Sequence, residues 1–236
     1  MSAQAHLLIL LKAPLAGLVK TRLAATVGAQ AALAAYEAMA RNVLAAAAAS
    51  GLATTIHYAP AAERARMEAL CGPGAQLLPQ AAGDLGARMA DAFFRAFTAG
   101  AGAALLVGGD LPLLDGPLLE QGAAALAGAP AVLGPALDGG YYAIGFTRQG
   151  FAPQVFADMP WSTPHVCART RERLVLAGRA VALLPTLPDC DTADDLRRLA
   201  LPPWRERLCG TPFGAFLAAA SGDPFDRDPE NRLSVP

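Results

Sequence analysis

The sequence predicts an α/β fold: a mostly parallel, Rossmann-like sheet with helices on both faces. Three observations predict it. Short apolar runs alternate with helical stretches along most of the chain. The strand-like runs are nearly continuous in apolar residues, as in strands covered on both faces. Several of them break into loops of Gly, Asp, Pro or Lys, where a parallel sheet gathers its ligands.

The first strand is expected at about His6–Leu11, an apolar run. A long alanine-rich helix starts near Ala29, and Gly51 suits its C-terminal stop. Strands follow at about Ala53–Ala59 and Ala75–Pro79, with a helix from near Ala61 between them. Asp84 stands where an N-cap is expected before a helix over Leu85–Thr98. A strand at Ala103–Val107 leads to a helix near Asp115. Ala131–Gly134 and Tyr141–Phe146 flank Asp138-Gly139, a hairpin signal. Helices start near Thr163 and Thr192, with a strand at Ala180–Leu184 between them. Thr192 followed by Asp195 resembles a capping box with Asp in place of Glu.

The 236 residues suit one α/β domain, or one domain with an appendage. We place the domain at 1–201 and a Pro-rich appendage at 202–236, partly helical over Trp204–Ala220 and loosely held from Asp223 onward. Hydrophobic residues make up 54% of the chain, enough for a large core. A net charge of -1 gives no global field for nucleic acid, so any anion binding must be local. Cys71, Cys167, Cys190 and Cys209 are dispersed, as are His6, His57 and His165, which argues against zinc and disulfide frameworks. No segment reads as a signal core or a membrane span, so a cytoplasmic protein is expected.

Four loops carry candidate chemistry. After the first strand comes Lys12-Ala13-Pro14, then Gly17, Lys20 and Arg22. Pro14 stiffens the turn, Gly17 permits close backbone approach, and the three cations suit a diphosphate or triphosphate. The plain alternative is a solvated basic loop. The segment is neither a P-loop nor a dinucleotide fingerprint.

After the fourth strand, Gly108-Gly109-Asp110-Leu111-Pro112 places one carboxylate at a strand end, a hard ligand for Mg²⁺ or Mn²⁺. The plain alternative is an ordinary turn. In Asp138-Gly139-Gly140-Tyr141-Tyr142 the acid could reach a metal or an acceptor hydroxyl, and a tyrosine could wall a sugar or base. Near the end of the domain, Asp189 and Asp191 offer a second metal ligand, whereas Asp194 and Asp195 fit a helix N-terminus. Gly83, Asp84, Gly86 and Arg88 could border a nucleotide. Trp161-Ser162-Thr163 could touch an acceptor or cap a helix.

Taken in order, these segments resemble the DUF2064 family of bacterial GT-A-like transferases, glycosyltransferase-like and related to the 2-phospho-lactate guanylyltransferase group. The matching stretches run from Lys12-Ala13-Pro14 with Gly17 and Lys20-Thr21-Arg22-Leu23, through Gly83–Met89, Gly108–Pro112, Gly134-Pro135 with Asp138–Tyr142 and Trp161–Thr163, to Asp189–Leu196. Relatives often carry Gly-Ser-Asp-Cys-Pro where this chain has Gly109 and Leu111 around the acid.

The resemblance implies a nucleotide-diphospho-sugar transferase fold with a metal on Asp110 and, by analogy, Asp191. The expected function is metal-dependent transfer from a nucleotide-activated donor, with glycosyl transfer to a small acceptor put first. Nucleotidyl transfer from a nucleoside triphosphate, releasing pyrophosphate, is the alternative. A non-catalytic nucleotide-binding module is the alternative from another class. Lys20, Asp110 and Asp138 are the expected catalytic residues. Lys12, Ala13, Pro14, Gly17, Lys20, Arg22, Gly83, Asp84 and Gly109 are expected around the nucleotide, and Asp138, Gly139, Gly140, Tyr141 and Trp161 around the acceptor. The expected partners are small molecules, with neither nucleic acid nor membrane, and a homo-oligomer is left open.

Overall fold

The computed structural model describes residues 5–220. The stretch from Asp223 onward, read from sequence as a loose tail, lies outside the described residues. Strands β1 (His6–Lys12), β2 (Thr54–Ala59), β3 (Leu77–Pro79), β4 (Ala103–Gly108), β5 (Ala131–Pro135), β6 (Tyr141–Thr147) and β7 (Val181–Leu183) form one sheet in the order β3-β2-β1-β4-β6-β5-β7. Only β6 runs against its neighbours β4 and β5; every other pairing between named strands is parallel. The predicted fold class and the predicted hairpin at Asp138 are therefore present.

The central strand β1 explains its continuous apolar run. Leu7, Ile9 and Leu11 face one core, and Leu8 faces the other, each 1% exposed or less. The first core packs the sheet against α2 (Ala29–Ser50) and α5 (Gly116–Ala125). Ala32, Ala35, Met39 and Val43 recur on the buried side of α2, so small residues let the helix lie close to its neighbours. A Cβ on Gly116 would come within 3.1 Å of the Ala49 Cβ, which shows how near α5 approaches α2.

The second core lies under α4 (Leu85–Thr98) and α6 (Val166–Leu176). Phe93 is its centre, edge-on to Phe146 with ring centroids 5.0 Å apart. The chain then continues through α7 (Ala193–Leu199), α8 (Trp204–Arg207) and α9 (Pro212–Ala220). α9 packs on α2, and its Phe213 is fully buried in the first core. Among the described residues no helix is long and apolar enough to cross a membrane.

Three local expectations need correction. The segment after Lys20 is helical: α1 spans Thr21–Val27 and buries only Leu23, so it carries little of the periodicity that marks a helix in sequence. The helix expected near Ala61 is a 3-10 turn (Ala61–Glu63) followed by α3 (Arg64–Cys71). The helix expected from Thr163 starts at Val166, where the N-cap His165 makes no side-chain cap bond; the Thr163 hydroxyl donates instead to the Pro160 carbonyl. Asp84 and Thr192, by contrast, are N-caps as expected, and Thr192 forms the complete capping box with Asp195.

Candidate active site

The carboxyl ends of β1, β3 and β4, the start of β6, and the segment after β7 meet at one edge of the sheet. They surround a cleft of about 590 Å³. This is the edge where parallel sheets place their ligands.

One acid follows the middle strand of the sheet and the other comes after the edge strand β7. Asp110 follows β4 through Gly108 and Gly109. A Cβ on Gly109 would lie 2.0 Å from Leu11 Cδ2 and 3.2 Å from the Leu10 carbonyl oxygen. Gly109 lines the cleft, and its missing side chain is what lets the turn close over β1. Asp191 comes from the turn before α7. Its backbone amide and that of Thr192 both donate to Asp195 Oδ2, at 3.0 and 2.9 Å, so the capping box also fixes the metal-ligand candidate beside it.

Lys20 joins the two acids. Its ammonium donates to Asp110 Oδ2 at 2.8 Å and to Asp191 Oδ1 at 2.7 Å, while Arg22 reaches Asp191 Oδ2 at 2.6 Å. The Lys20 side chain is 4% exposed, and its backbone is left-handed at φ 47°. Burial disfavours its charge, but the two carboxylates more than offset that and hold the ammonium above its ordinary pKa. The same ammonium, with a smaller contribution from Lys12, holds the Asp110 carboxyl below the usual range. Cys190 is buried nearby, its thiol pushed up to about 12 by burial, which keeps it protonated at neutral pH.

Lys12 stands exposed at the end of β1, held through its backbone. The Tyr36 hydroxyl accepts from the Lys12 amide and donates to the Lys12 carbonyl, both at 2.9 Å. Gln80 binds the ends of the first two strands together, donating to the carbonyls of Leu11 and His57 at 3.0 and 2.9 Å. Its Oε1 accepts from Arg88, whose Nε also donates to the Gly83 carbonyl. Tyr36, Gln80 and Arg88 line the cleft. Arg88 was legible as an inward-reaching side chain. Tyr36 had no local mark, being one tyrosine in an alanine-rich helix.

The other half of the cleft is aromatic and apolar, walled by Leu85, Met89, Tyr141 and Trp161. Trp161 Nε1 donates to Asp84 Oδ2 at 3.3 Å, and its ring lies where a Cβ on Gly86 would be 2.9 Å away. Tyr141 is half-buried, its phenol pushed up by loss of solvent. Asp138 is exposed at the cleft, with Oδ1 accepting from the Gly140 amide at 2.8 Å. Its charge adds to burial in raising the Asp189 carboxyl.

The structure thus brings together Lys12, Lys20, Arg22, Gly109, Asp110, Asp138, Gly140, Tyr141, Trp161 and Asp191. It places the remaining candidates away from the cleft lining. Ala13 and Pro14 are buried behind the loop, and Gly17 sits at φ +79° in an exposed turn. Gly83 supplies a carbonyl to Arg88, and Asp84 caps α4. Gly139 abuts Pro164, whose carbonyl oxygen would be 2.1 Å from a Cβ there.

A family model described as an uncharacterized protein conserved in bacteria, DUF2064, matches residues 42–163. A provisionally named nucleotide-diphospho-sugar transferase from Desulfovibrio desulfuricans G20 is 32% identical, superposes with a TM-score of 0.85, and is covered over 96% of its length by 94% of this chain. The chain belongs to the DUF2064 family. The fold is shared more widely. Rv0371c from Mycobacterium tuberculosis H37Rv is 20% identical with a TM-score of 0.53, over 84% of this chain and 98% of that one. A 4-diphosphocytidyl-2C-methyl-D-erythritol synthase from Anaerococcus prevotii DSM 20548 is 8% identical with a TM-score of 0.52, over 81% and 94%. No curated protein matches the chain.

Proposed function

We propose that this DUF2064 protein is a metal-dependent transferase that moves a sugar from a nucleotide sugar to a small acceptor in the cytoplasm. Residues 1–201 carry the chemistry. The observation that carries the reading is the convergence of Asp110 and Asp191 on the Lys20 ammonium, at 2.8 and 2.7 Å, with Lys12 and Arg22 beside them.

The residues present fit a divalent ion. Asp110 and Asp191 are hard oxygen donors that already share one cation. Among the described residues no group of three or more His, Cys, Asp or Glu side chains is assembled, so substrate phosphate and water would complete the shell, as suits Mg²⁺ or Mn²⁺. When bound, the ion supplies Lewis-acid neutralisation of the charge on the leaving diphosphate. Lys12, Lys20 and Arg22 bind and orient that diphosphate. Asp138 takes the acceptor's hydroxyl proton as the acceptor oxygen bonds to the sugar's anomeric carbon and the bond to phosphate breaks, releasing nucleoside diphosphate. Tyr141 and Trp161 wall the acceptor side.

A second reading, nucleotidyl transfer from a nucleoside triphosphate, is favoured by the three cations between residues 12 and 22, which suit β- and γ-phosphates. The products separate the readings. The protein is incubated with nucleotide sugars and with nucleoside triphosphates, each with Mg²⁺ or Mn²⁺ and candidate acceptors. Release of nucleoside diphosphate supports sugar transfer, and release of pyrophosphate supports the alternative. Recovery of every nucleotide unchanged would leave a binding module. Asp110→Asn is expected to lower metal-dependent turnover by about 10²-fold or more and to abolish metal-dependent thermal stabilisation by the nucleotide. Full metal-dependent turnover in that variant would remove Asp110 from the metal site.

A further inference from the structure

Lys20 is held in a way that a simple phosphate-binding lysine does not require. Its side chain is 4% exposed, so its ammonium has almost no water and must keep an anionic partner. In the structure that partner is double: Asp110 and Asp191, one from each side. The ammonium therefore lies between the two oxygens that a shared divalent cation would bind. Arg22 neutralises the far oxygen of Asp191, so two carboxylates face two cations, with the charge of Lys12 reaching Asp110 as well. The four groups bonded to one another carry no net charge to draw a bare divalent ion; Asp138 and Asp189 stand nearby without bonding to the pair. Among the described residues no third acid joins the pair to hold an ion regardless of Lys20. The left-handed backbone at Lys20, φ 47° and ψ 48°, is unfavourable for a residue with a side chain and aims this one at the acids.

We propose that Lys20 is an exchangeable counter-ion: it guards the carboxylate pair, and the donor's phosphate must draw its ammonium away before a divalent cation binds there. Metal and phosphate then bind together, and the metal does not bind first. At the carboxylate pair the exchange replaces a charge of +1 by +2, and the arriving diphosphate brings the negative charge that the metal and the displaced ammonium then share. Lys20 is thus a positioning residue for the metal as well as a ligand of the phosphate. This inference rests on the metal-dependent reading given above.

The test measures protein-bound Mn²⁺ by equilibrium dialysis, with and without inorganic pyrophosphate on both sides of the membrane as the phosphate probe, so that manganese chelated in solution cancels. The proteins are the wild type, Lys20→Met and Lys20→Gly; glycine takes the left-handed backbone without strain. Far-UV circular dichroism checks that each is folded. Wild type is expected to bind Mn²⁺ alone weakly and to gain strongly from pyrophosphate. The variants are expected to bind Mn²⁺ alone about tenfold more tightly and to gain less from pyrophosphate. Equal affinity for Mn²⁺ alone in all three overturns the exchange and leaves the metal site standing. Tight wild-type binding of Mn²⁺ alone, unchanged by pyrophosphate, overturns it without reference to the variants. No Mn²⁺ binding by any of the three, even with pyrophosphate, overturns the metal-dependent reading itself.

Discussion

Acid should weaken this fold through one buried histidine well before its carboxylates titrate. His57 lies on β2, 1% exposed, and its Nδ1 has no hydrogen-bond partner among the described residues. Burial pushes its imidazole down to about 4 from 6.5; Arg95 and His6 push the same way, and Asp91 opposes them. The folded-state value is depressed, so the unfolded chain takes up a proton first as pH falls. Stability is then lost between about pH 6.5 and pH 4. With 1.36 kcal/mol for each unit of pKa difference, moving from pH 7 to pH 5 costs about 2 kcal/mol. Urea unfolding followed by tryptophan fluorescence should show the midpoint falling by about 1 M over that range, taking a slope of roughly 2 kcal/mol/M. His57→Leu should flatten the dependence. His6 titrates with the same sign, since burial lowers it too, so a smaller dependence remains in His57→Leu. Asp110, whose carboxyl is held low by Lys20, adds its own loss only below about pH 4. Identical pH dependence in wild type and His57→Leu would refute the reasoning.

Three further outcomes are expected. Gly109→Ala should cost about 1–3 kcal/mol in urea or thermal unfolding, because its Cβ would press on Leu11 Cδ2 and the Leu10 carbonyl. Tyr36→Phe removes both 2.9 Å bonds to the Lys12 backbone. It should cost about 1 kcal/mol of stability and raise the donor's KM more than it lowers kcat, as steady-state kinetics would show. Asp195→Ala breaks the capping box and frees the Asp191 amide. It should cost about 1–2 kcal/mol and weaken stabilisation by metal with nucleotide in a thermal-shift assay.

Much of the fold was legible because its signals are local. Each strand announces itself within about seven residues by apolar content, and Asp84, Thr192 and Gly51 mark helix ends through bonds a few residues long. α1 was missed for the same reason: a seven-residue helix that buries only Leu23 has no periodic face to read. Glycines are harder to read. Gly17, Gly83 and Gly139 follow the pattern of a ligand-binding loop, yet each serves a turn or a close backbone contact, and sequence does not separate those uses.

Sequence alone determined the layered α/β architecture, the identity of the basic loop, and Asp110 as an acid at a strand end, because those features depend on neighbours in the chain. Only the tertiary structure decided that Lys20 bonds both Asp110 and Asp191, 90 and 171 residues away, and that Tyr36 holds the backbone of Lys12. Those contacts exist because β1 and β4 pair directly and the segment after β7 returns to the same edge of the sheet. Which distant side chains share a partner is set by strand order, and no local pattern of residues encodes it.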